Sequence, residues 1–131
     1  MKKLITIAAA LGLCAAPAQA ADPSWPQRSI KMIVPFPAGG GTDFIARLAA
    51  KQLSQRLGQQ VYVENRAGAN GAIGLQALKV ADPDGYTIAM TSDTPMVANP
   101  SLYENLPYAP LHDFAPVATT VKFPGDRKSV V

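Results

Sequence analysis

A short apolar run, Ile30, Met32, Ile33 and Val34, stops at Pro35, and a long amphipathic segment begins at about Thr42. Between them lies Pro35-Phe36-Pro37-Ala38-Gly39-Gly40-Gly41-Thr42-Asp43, with three consecutive glycines. A strand, a glycine loop and a helix start in direct succession constrain the fold more than any other feature of the chain. The loop leaves backbone N–H groups facing whatever sits above the strand end. Glycines there remove the Cβ atoms that would hold a ligand off the backbone. Thr42 reads as the N-cap, and Asp43 favours the positive end of the helix dipole.

The rest of the chain repeats this alternation. Ile45, Leu48, Ala49, Leu53 and Leu57 recur at helical spacing, with Gly58 as the stop. Gln60 to Glu64 reads as a second strand, 65–71 as loop, and Ala72, Ile73, Leu75, Ala77, Leu78 and Ala81 as a second helix. Asp82-Pro83-Asp84-Gly85 is a turn before a third strand, Tyr86 to Met90. Met96 to Tyr103 suits a short helix broken around Pro100, and Phe114 to Val121 suits a fourth strand. Trp25, in a Pro-rich lead-in, is expected to pack on the body. The reading is α/β, with a mostly parallel sheet, right-handed crossovers and flanking helices. Ligands of such sheets bind outside the carboxyl ends of the strands, where the glycine loop and Thr91-Ser92-Asp93-Thr94 both fall.

Lys2 and Lys3, an apolar run from Leu4 to Ala16, and Ala18-Gln19-Ala20 form an export signal, with cleavage expected after Ala20. The only cysteine, Cys14, lies within it and follows Leu13, which is too large for a lipoprotein signal, so no lipid anchor is expected. Without the leader there is no thiol, which suits an oxidising compartment, the periplasm. The net charge of +3 is misleading: of the 12 basic residues two are Lys2 and Lys3, leaving ten against 9 acidic ones. A body so nearly neutral lacks the dense positive face that nucleic acid needs.

Catalytic patterns are missing as well. The loop has no Gly-x-x-x-x-Gly-Lys-Ser/Thr, and Phe44 stands where a dinucleotide fingerprint needs its last glycine. No serine sits in Gly-x-Ser-x-Gly, and the one histidine, His112, lies in a Pro-rich stretch. One His without Cys makes no typical zinc site, and neither metal nor cofactor is expected. Gly68, Gly71 and Gly74 make a second spaced set, which reads first as a flexible loop with close helix packing and second as direct ligand contacts. What remains is a site that binds rather than reacts. Its donors are the backbone of Ala38 to Asp43, the hydroxyls of Thr42, Thr91 and Ser92, and the amide of Asn99. A carboxylate suits them, a helix N-terminus favouring it by about 0.3–1 kcal/mol, or about 2 if shielded from water.

Pro35 to Asp43 with Ala46-Arg47, Leu57-Gly58-Gln59, Val63-Glu64-Asn65-Arg66-Ala67-Gly68-Ala69-Asn70-Gly71, and Ala81-Asp82-Pro83-Asp84-Gly85-Tyr86-Thr87 resemble, in this order, the Bug family. These are the periplasmic solute-binding components of tripartite tricarboxylate transporters. Asn99-Pro100-Ser101-Leu102-Tyr103, Leu106-Pro107-Tyr108 and Asp113-Phe114-Ala115-Pro116-Val117 continue the likeness, which spans about Trp25 to Lys122. It implies a two-lobed type II periplasmic-binding-protein fold closing on a small carboxylate, monomeric when full length, with membrane subunits of the transporter as partners. By position it places ligand contacts on Phe36, Pro37, Ala38, Gly39, Gly40, Gly41, Thr42, Asp43 and on Thr91, Ser92 and Asp93. Asn70 departs from the glycine usual there.

Family members are two to three times longer by the same resemblance. The expectation is a leader at 1–20, the first part of lobe 1 at 21–124, an artefactual tail at 125–131, and no second lobe. Marginal stability and very weak affinity are expected of the 131-residue chain. Two other functions fit this outline: a carboxylate sensor serving a signalling partner, and a secreted α/β hydrolase, such as an esterase or phosphatase, with its catalytic residues elsewhere. Neighbouring genes for two membrane subunits favour transport, and a neighbouring sensor kinase favours signalling.

Overall fold

The computed structural model describes residues 25–122; the expected leader and tail lie outside them. Three strands, β1 (Ile30–Val34), β2 (Val61–Asn65) and β3 (Thr87–Ala89), form a parallel sheet in the order β2-β1-β3. β1 is central, and Ile30, Met32, Ile33 and Val34 are all buried, the near-continuous apolar run of a strand covered on both faces. Hydrogen bonds from Lys31 N–H to Tyr86 C=O and from Met90 N–H to Ile33 C=O extend the β3 pairing to the full expected range.

Helices α1 (Gly41–Leu57) and α2 (Ala72–Lys79) connect the strands. Because β2 and β3 flank β1 on opposite sides, right-handed crossovers put the two helices on opposite faces of the sheet. Ala46 and Ala50 of α1 pack on Ile30, Met32, Val34 and Val61, with Leu53, Leu57 and Ile88 around them. Ala72 and Leu75 of α2 form a second cluster with Tyr108, bordered by Ala89, Met96 and Phe114. Gly58 ends α1 in the left-handed conformation (φ 67°) and donates its N–H to Ser54 C=O, as expected.

The buried stripe of α1 differs from the expected one. Leu48 is 52% exposed, and the inward positions are Asp43, Ala46 and Ala50, followed by the half-buried Leu53 and Leu57. Their spacing of three, four, three and four is a better helical series, but a carboxylate at its head disguises it. Thr42 is not the N-cap; the helix begins at Gly41, and Gly40 occupies the cap without a side-chain bond. Pro100 does not break a helix either. It sits in α3 (Asn99–Leu102), directly after a π-helical turn at Thr94–Ala98, and Ala98 and Asn99 both keep right-handed helical angles, so the run changes helix type ahead of Pro100 without being interrupted.

The expected fourth strand at Phe114 to Val121 is absent: residues 114–122 pair with no strand, and Val117 is 93% exposed. The preceding stretch explains this. Lys79 on α2 binds Asp113 (3.0 Å) and donates to Pro107 C=O, and Phe114 packs on the Tyr108 ring, so the chain is fastened to α2 instead of a strand edge. At the other end of the sheet Trp25 meets Tyr86 at 6.0 Å between ring centres, as expected of a residue packing on the body.

The Ser54 hydroxyl donates to Ala50 C=O and accepts the N–H of Val61, whose outer side is an unpaired sheet edge. Ser54→Ala leaves that N–H unsatisfied. It is expected to lower stability by about 1 kcal/mol in a urea titration, the usual scale for one such bond.

Candidate ligand-binding site at the strand ends

All three strands send their outgoing chain to the same end of the sheet. β1 leads to α1 on one face, whereas β2 and β3 lead to the cluster on the other. Adjacent strand ends whose connections diverge leave a crevice, the usual ligand position in open parallel sheets. Two such junctions exist, and the structure closes one of them.

The closed junction lies between β1 and β2. Asp43 Oδ2 accepts hydrogen bonds from Gly39 N–H and Arg47 Nε, both at 2.9 Å, and Oδ1 accepts from Asn65 Nδ2 at 2.9 Å. Asn65 Nδ2 also donates to Phe36 C=O (3.1 Å), while Arg47 Nη2 donates to Asn65 Oδ1 (3.1 Å). The glycine loop is thereby tied to α1 beneath it and to the end of β2 beside it. The Arg47 guanidinium, then the Gly39 N–H and the Asn65 amide, hold the Asp43 carboxyl well below the usual carboxylate range, against the opposing pull of burial.

Asp43 is expected to meet ligand through its backbone N–H; its carboxylate, on a residue 3% exposed, is committed to the loop's interior. Gly39 and Gly40 N–H are likewise engaged, with Asp43 and with Pro37 C=O. Among the described residues no acceptor meets the first-turn N–H groups of Gly41, Thr42 and Asp43. Those groups remain as donors. Pro37, Ala38, Gly39, Gly40 and Gly41 are exposed, and Phe36 is half-buried against the core.

The loop after β2 is wedged beneath the other two. A Cβ on Gly71 would lie 2.6 Å from Pro95 Cγ and 3.5 Å from Pro35 Cβ, and one on Gly74 would lie 2.6 Å from Pro35 Cβ. Pro35, Gly71, Gly74 and Pro95 are therefore in direct contact, joining the three post-strand loops through a slot only glycine fits. Gly71 also has φ 88°.

Beside this slot Asn99, fully buried, takes a different task from the ligand donor expected of it. Its Oδ1 accepts from Asn70 Nδ2 (2.8 Å), and its Nδ2 donates to Asn70 C=O (3.1 Å) and to the Tyr108 hydroxyl (3.3 Å). Tyr108 in turn donates to Pro95 C=O. This clasp holds the β2 loop against the turn that follows β3.

The open junction, between β1 and β3, is flanked by the glycine loop and by Thr91-Ser92-Asp93. The Thr91 hydroxyl oxygen is buried and has no hydrogen-bond partner among the described residues. Ser92 is half-buried, Asp93 is exposed, and Asp93 C=O accepts Met96 and Val97 N–H to start the π-helical turn. A polar hollow of about 180 Å³ at the opposite strand ends, lined by Arg28, Lys31, Asp84 and Tyr86, has another basis. There the Arg28–Asp84 ion pair (2.7 Å) and the Arg28 guanidinium over the Tyr86 ring (4.2 Å) anchor the lead-in segment.

Residues 45–126 match the family model described as "Tripartite tricarboxylate transporter family receptor". Protein BugT of Bordetella pertussis is 44% identical over 115 residues, 84% of this chain and 35% of BugT. Among solved structures, the malate-bound MatC (Rpa3494) from Rhodopseudomonas palustris superposes with a TM-score of 0.68 at 36% identity, over 71% of this chain and 32% of MatC. The periplasmic binding protein BugD gives 0.65 at 42% identity, over 70% of this chain and 30% of BugD. The chain thus spans about a third of the length of the relatives it matches.

Proposed function

The chain belongs to the tripartite tricarboxylate transporter receptor family, and on that premise we propose that it captures a small carboxylate and hands it, unconverted, to membrane subunits of a transporter. The observation that carries this reading is the β1/β3 crevice, where α1 first-turn N–H groups and the buried Thr91 hydroxyl occupy adjacent strand ends. Both are hydrogen-bond donors, and a helix N-terminus favours an anion. Malate in the related MatC supports a dicarboxylate as the ligand class. Function in the periplasm, with the leader removed after Ala20, and a monomeric state complete the proposal.

A thermal-shift titration of this chain joined to the remainder of a relative such as BugT, with malate, adipate and citrate at millimolar concentration, tests this. A ligand binding only the native state raises Tm in step with its concentration. A rise with at least one acid is expected; no rise with any of them, from a chain that melts cooperatively without ligand, overturns the reading.

Thr91→Val sharpens the test. Replacing an unpartnered buried hydroxyl by an isosteric methyl is expected to leave stability unchanged or raise it by up to about 1 kcal/mol. Carboxylate affinity is expected to fall on the order of tenfold, the loss of one charge-assisted hydrogen bond. A variant that binds as well as the parent removes Thr91 from the site.

A further inference from the structure

Of the four asparagines, only Asn70 precedes a glycine. We propose that Asn70–Gly71 is a deamidation site held inactive by the Asn70–Asn99 clasp, and that its modification opens the clasp irreversibly. In such a peptide the glycine nitrogen attacks the asparagine Cγ. The N–Cγ bond forms, the Cγ–Nδ2 bond breaks, and the amide leaves as ammonia carrying the proton lost by the glycine nitrogen. Water then opens the cyclic imide at either carbonyl, giving aspartate or isoaspartate. Water enters, ammonia leaves, and nothing is oxidised or reduced.

The neighbouring residues set the ranking of sites. Pro100 follows Asn99 and has no N–H to lose. Arg66 and Leu106 follow Asn65 and Asn105 with side chains that crowd the nucleophile, and Arg66 N–H is also held by Val34 C=O at 2.9 Å. Gly71 has no such side chain, and Asn70 is exposed to the water the second step consumes.

The fold restrains both reacting groups. Gly71 N–H donates to Gly68 C=O (3.0 Å), and Asn70 Nδ2 donates to Asn99 Oδ1 (2.8 Å). Asn70 sits at φ 51°, ψ 41°, a helical geometry of left-handed sense that keeps the Gly71 nitrogen away from Cγ. Reaction therefore requires the clasp to open locally first.

Neither product can rebuild the clasp. An aspartate at 70 sets a carboxylate oxygen against Asn99 Oδ1, acceptor against acceptor. Turning the Asn99 amide to meet it gives up the bonds to Asn70 C=O and Tyr108. Isoaspartate inserts a methylene into the backbone beside Gly71, where an added Cβ already falls 2.6 Å from Pro95. Opening that is transient in the native chain becomes permanent after modification.

The full chain is aged in mildly alkaline buffer at physiological temperature and the asparagine peptides are mapped by mass spectrometry. Asn70 is expected to convert first among the asparagines, but far more slowly than in the same chain held in urea. Tyr108→Phe keeps the ring and deletes only the hydroxyl that links Asn99 to Pro95. It is expected to speed conversion roughly tenfold, as losing one or two buried hydrogen bonds shifts an opening equilibrium, and Asn99→Ala to speed it further. Ageing should lower the Tm of the parent but not of Asn70→Gly. Equal rates in the folded and urea-unfolded chain, earlier conversion elsewhere, an unchanged rate in Tyr108→Phe, or an unchanged Tm on ageing each overturn the proposal. Should Asn99→Ala fail to fold, Tyr108→Phe decides.

Discussion

Gly71→Ala is expected to lower stability by about 2–5 kcal/mol, the sum of a left-handed backbone penalty and of overpacking. Both parts are visible at this position. The residue has φ 88°, and its added methyl would stand 2.6 Å from Pro95 Cγ and 3.3 Å from Pro95 Cβ. Pro95 is fully buried and cannot yield as the end of a long side chain would. Gly74→Ala isolates the steric part. Its φ is ordinary for a helix, yet the methyl would meet Pro35 Cα at 2.8 Å and Arg66 C=O at 2.9 Å, which are backbone atoms. A cost of about 1–3 kcal/mol is expected there, reduced by the helix propensity that alanine gains. Gly41→Ala supplies the contrast, since nothing lies within 4 Å of its added methyl in the first turn of α1; it should be neutral or stabilise by up to about 1 kcal/mol. Urea unfolding of the three variants ranks them directly. If Gly71→Ala and Gly41→Ala unfold at the same midpoint, the slot is not a structural joint.

That slot shows where reading the sequence succeeds and where it stops. The α/β alternation, the parallel sheet and the position of both candidate loops follow from local signals: a β-branched run, a helical period, a glycine past a helix end. The close packing of Gly71 and Gly74 was also legible in outline, as spaced glycines. Their contacts were not, because Pro35 and Pro95 come from other loops and carry no local mark of the meeting. Asn99 is similar. An amide near a strand end reads as a ligand donor, and only the fold reveals Asn70, 29 residues away, as its partner. The strand expected at Phe114 to Val121 does not form for a related reason. Its residues suit a strand, but strand formation needs a free edge within reach, and the Lys79–Asp113 pair directs the chain elsewhere.

Asp43 has two parts to play, since its N–H remains a donor at the helix start while its carboxylate shapes the site without being available to ligand. The i, i+4 spacing of Asp43 and Arg47 was visible in the sequence, and so was its phase with Ala46, Ala50, Leu53 and Leu57. Its third partner, Asn65, lies 22 residues away and has no such signature. The arrangement means that the loop's shape depends on one ionised group bonded to three donors from three segments, and donors held in place before ligand arrives bind more tightly than donors that must be ordered.

Asp43→Asn is therefore expected to reduce carboxylate affinity on the order of tenfold or more, as a site loses its preorganisation. The substituted amide keeps the size of the carboxylate but presents an NH2 group to one of Gly39 N–H, Arg47 and Asn65 Nδ2, donor against donor. Arg47→Ala removes one of the three donors and should weaken binding less. The double variant should be no worse than Asp43→Asn alone, because both act through one network. Additive losses would instead assign Arg47 an independent contact with the ligand. The pH dependence provides a separate check on the parent chain. With the folded pKa depressed, the unfolded state binds the proton more readily once pH falls below about 4, the ordinary carboxylate value. Stability from this group is thus complete at neutral pH, begins to fall near that value, and continues to fall as the pH drops toward the folded pKa. Asp43→Asn removes that portion of the acid limb, so its stability should vary less than the parent's between neutral pH and pH values below about 4. An identical acid limb in both proteins would show that the carboxylate is not held as its three partners imply, and would take from the glycine loop the anchor on which its ordered donors depend.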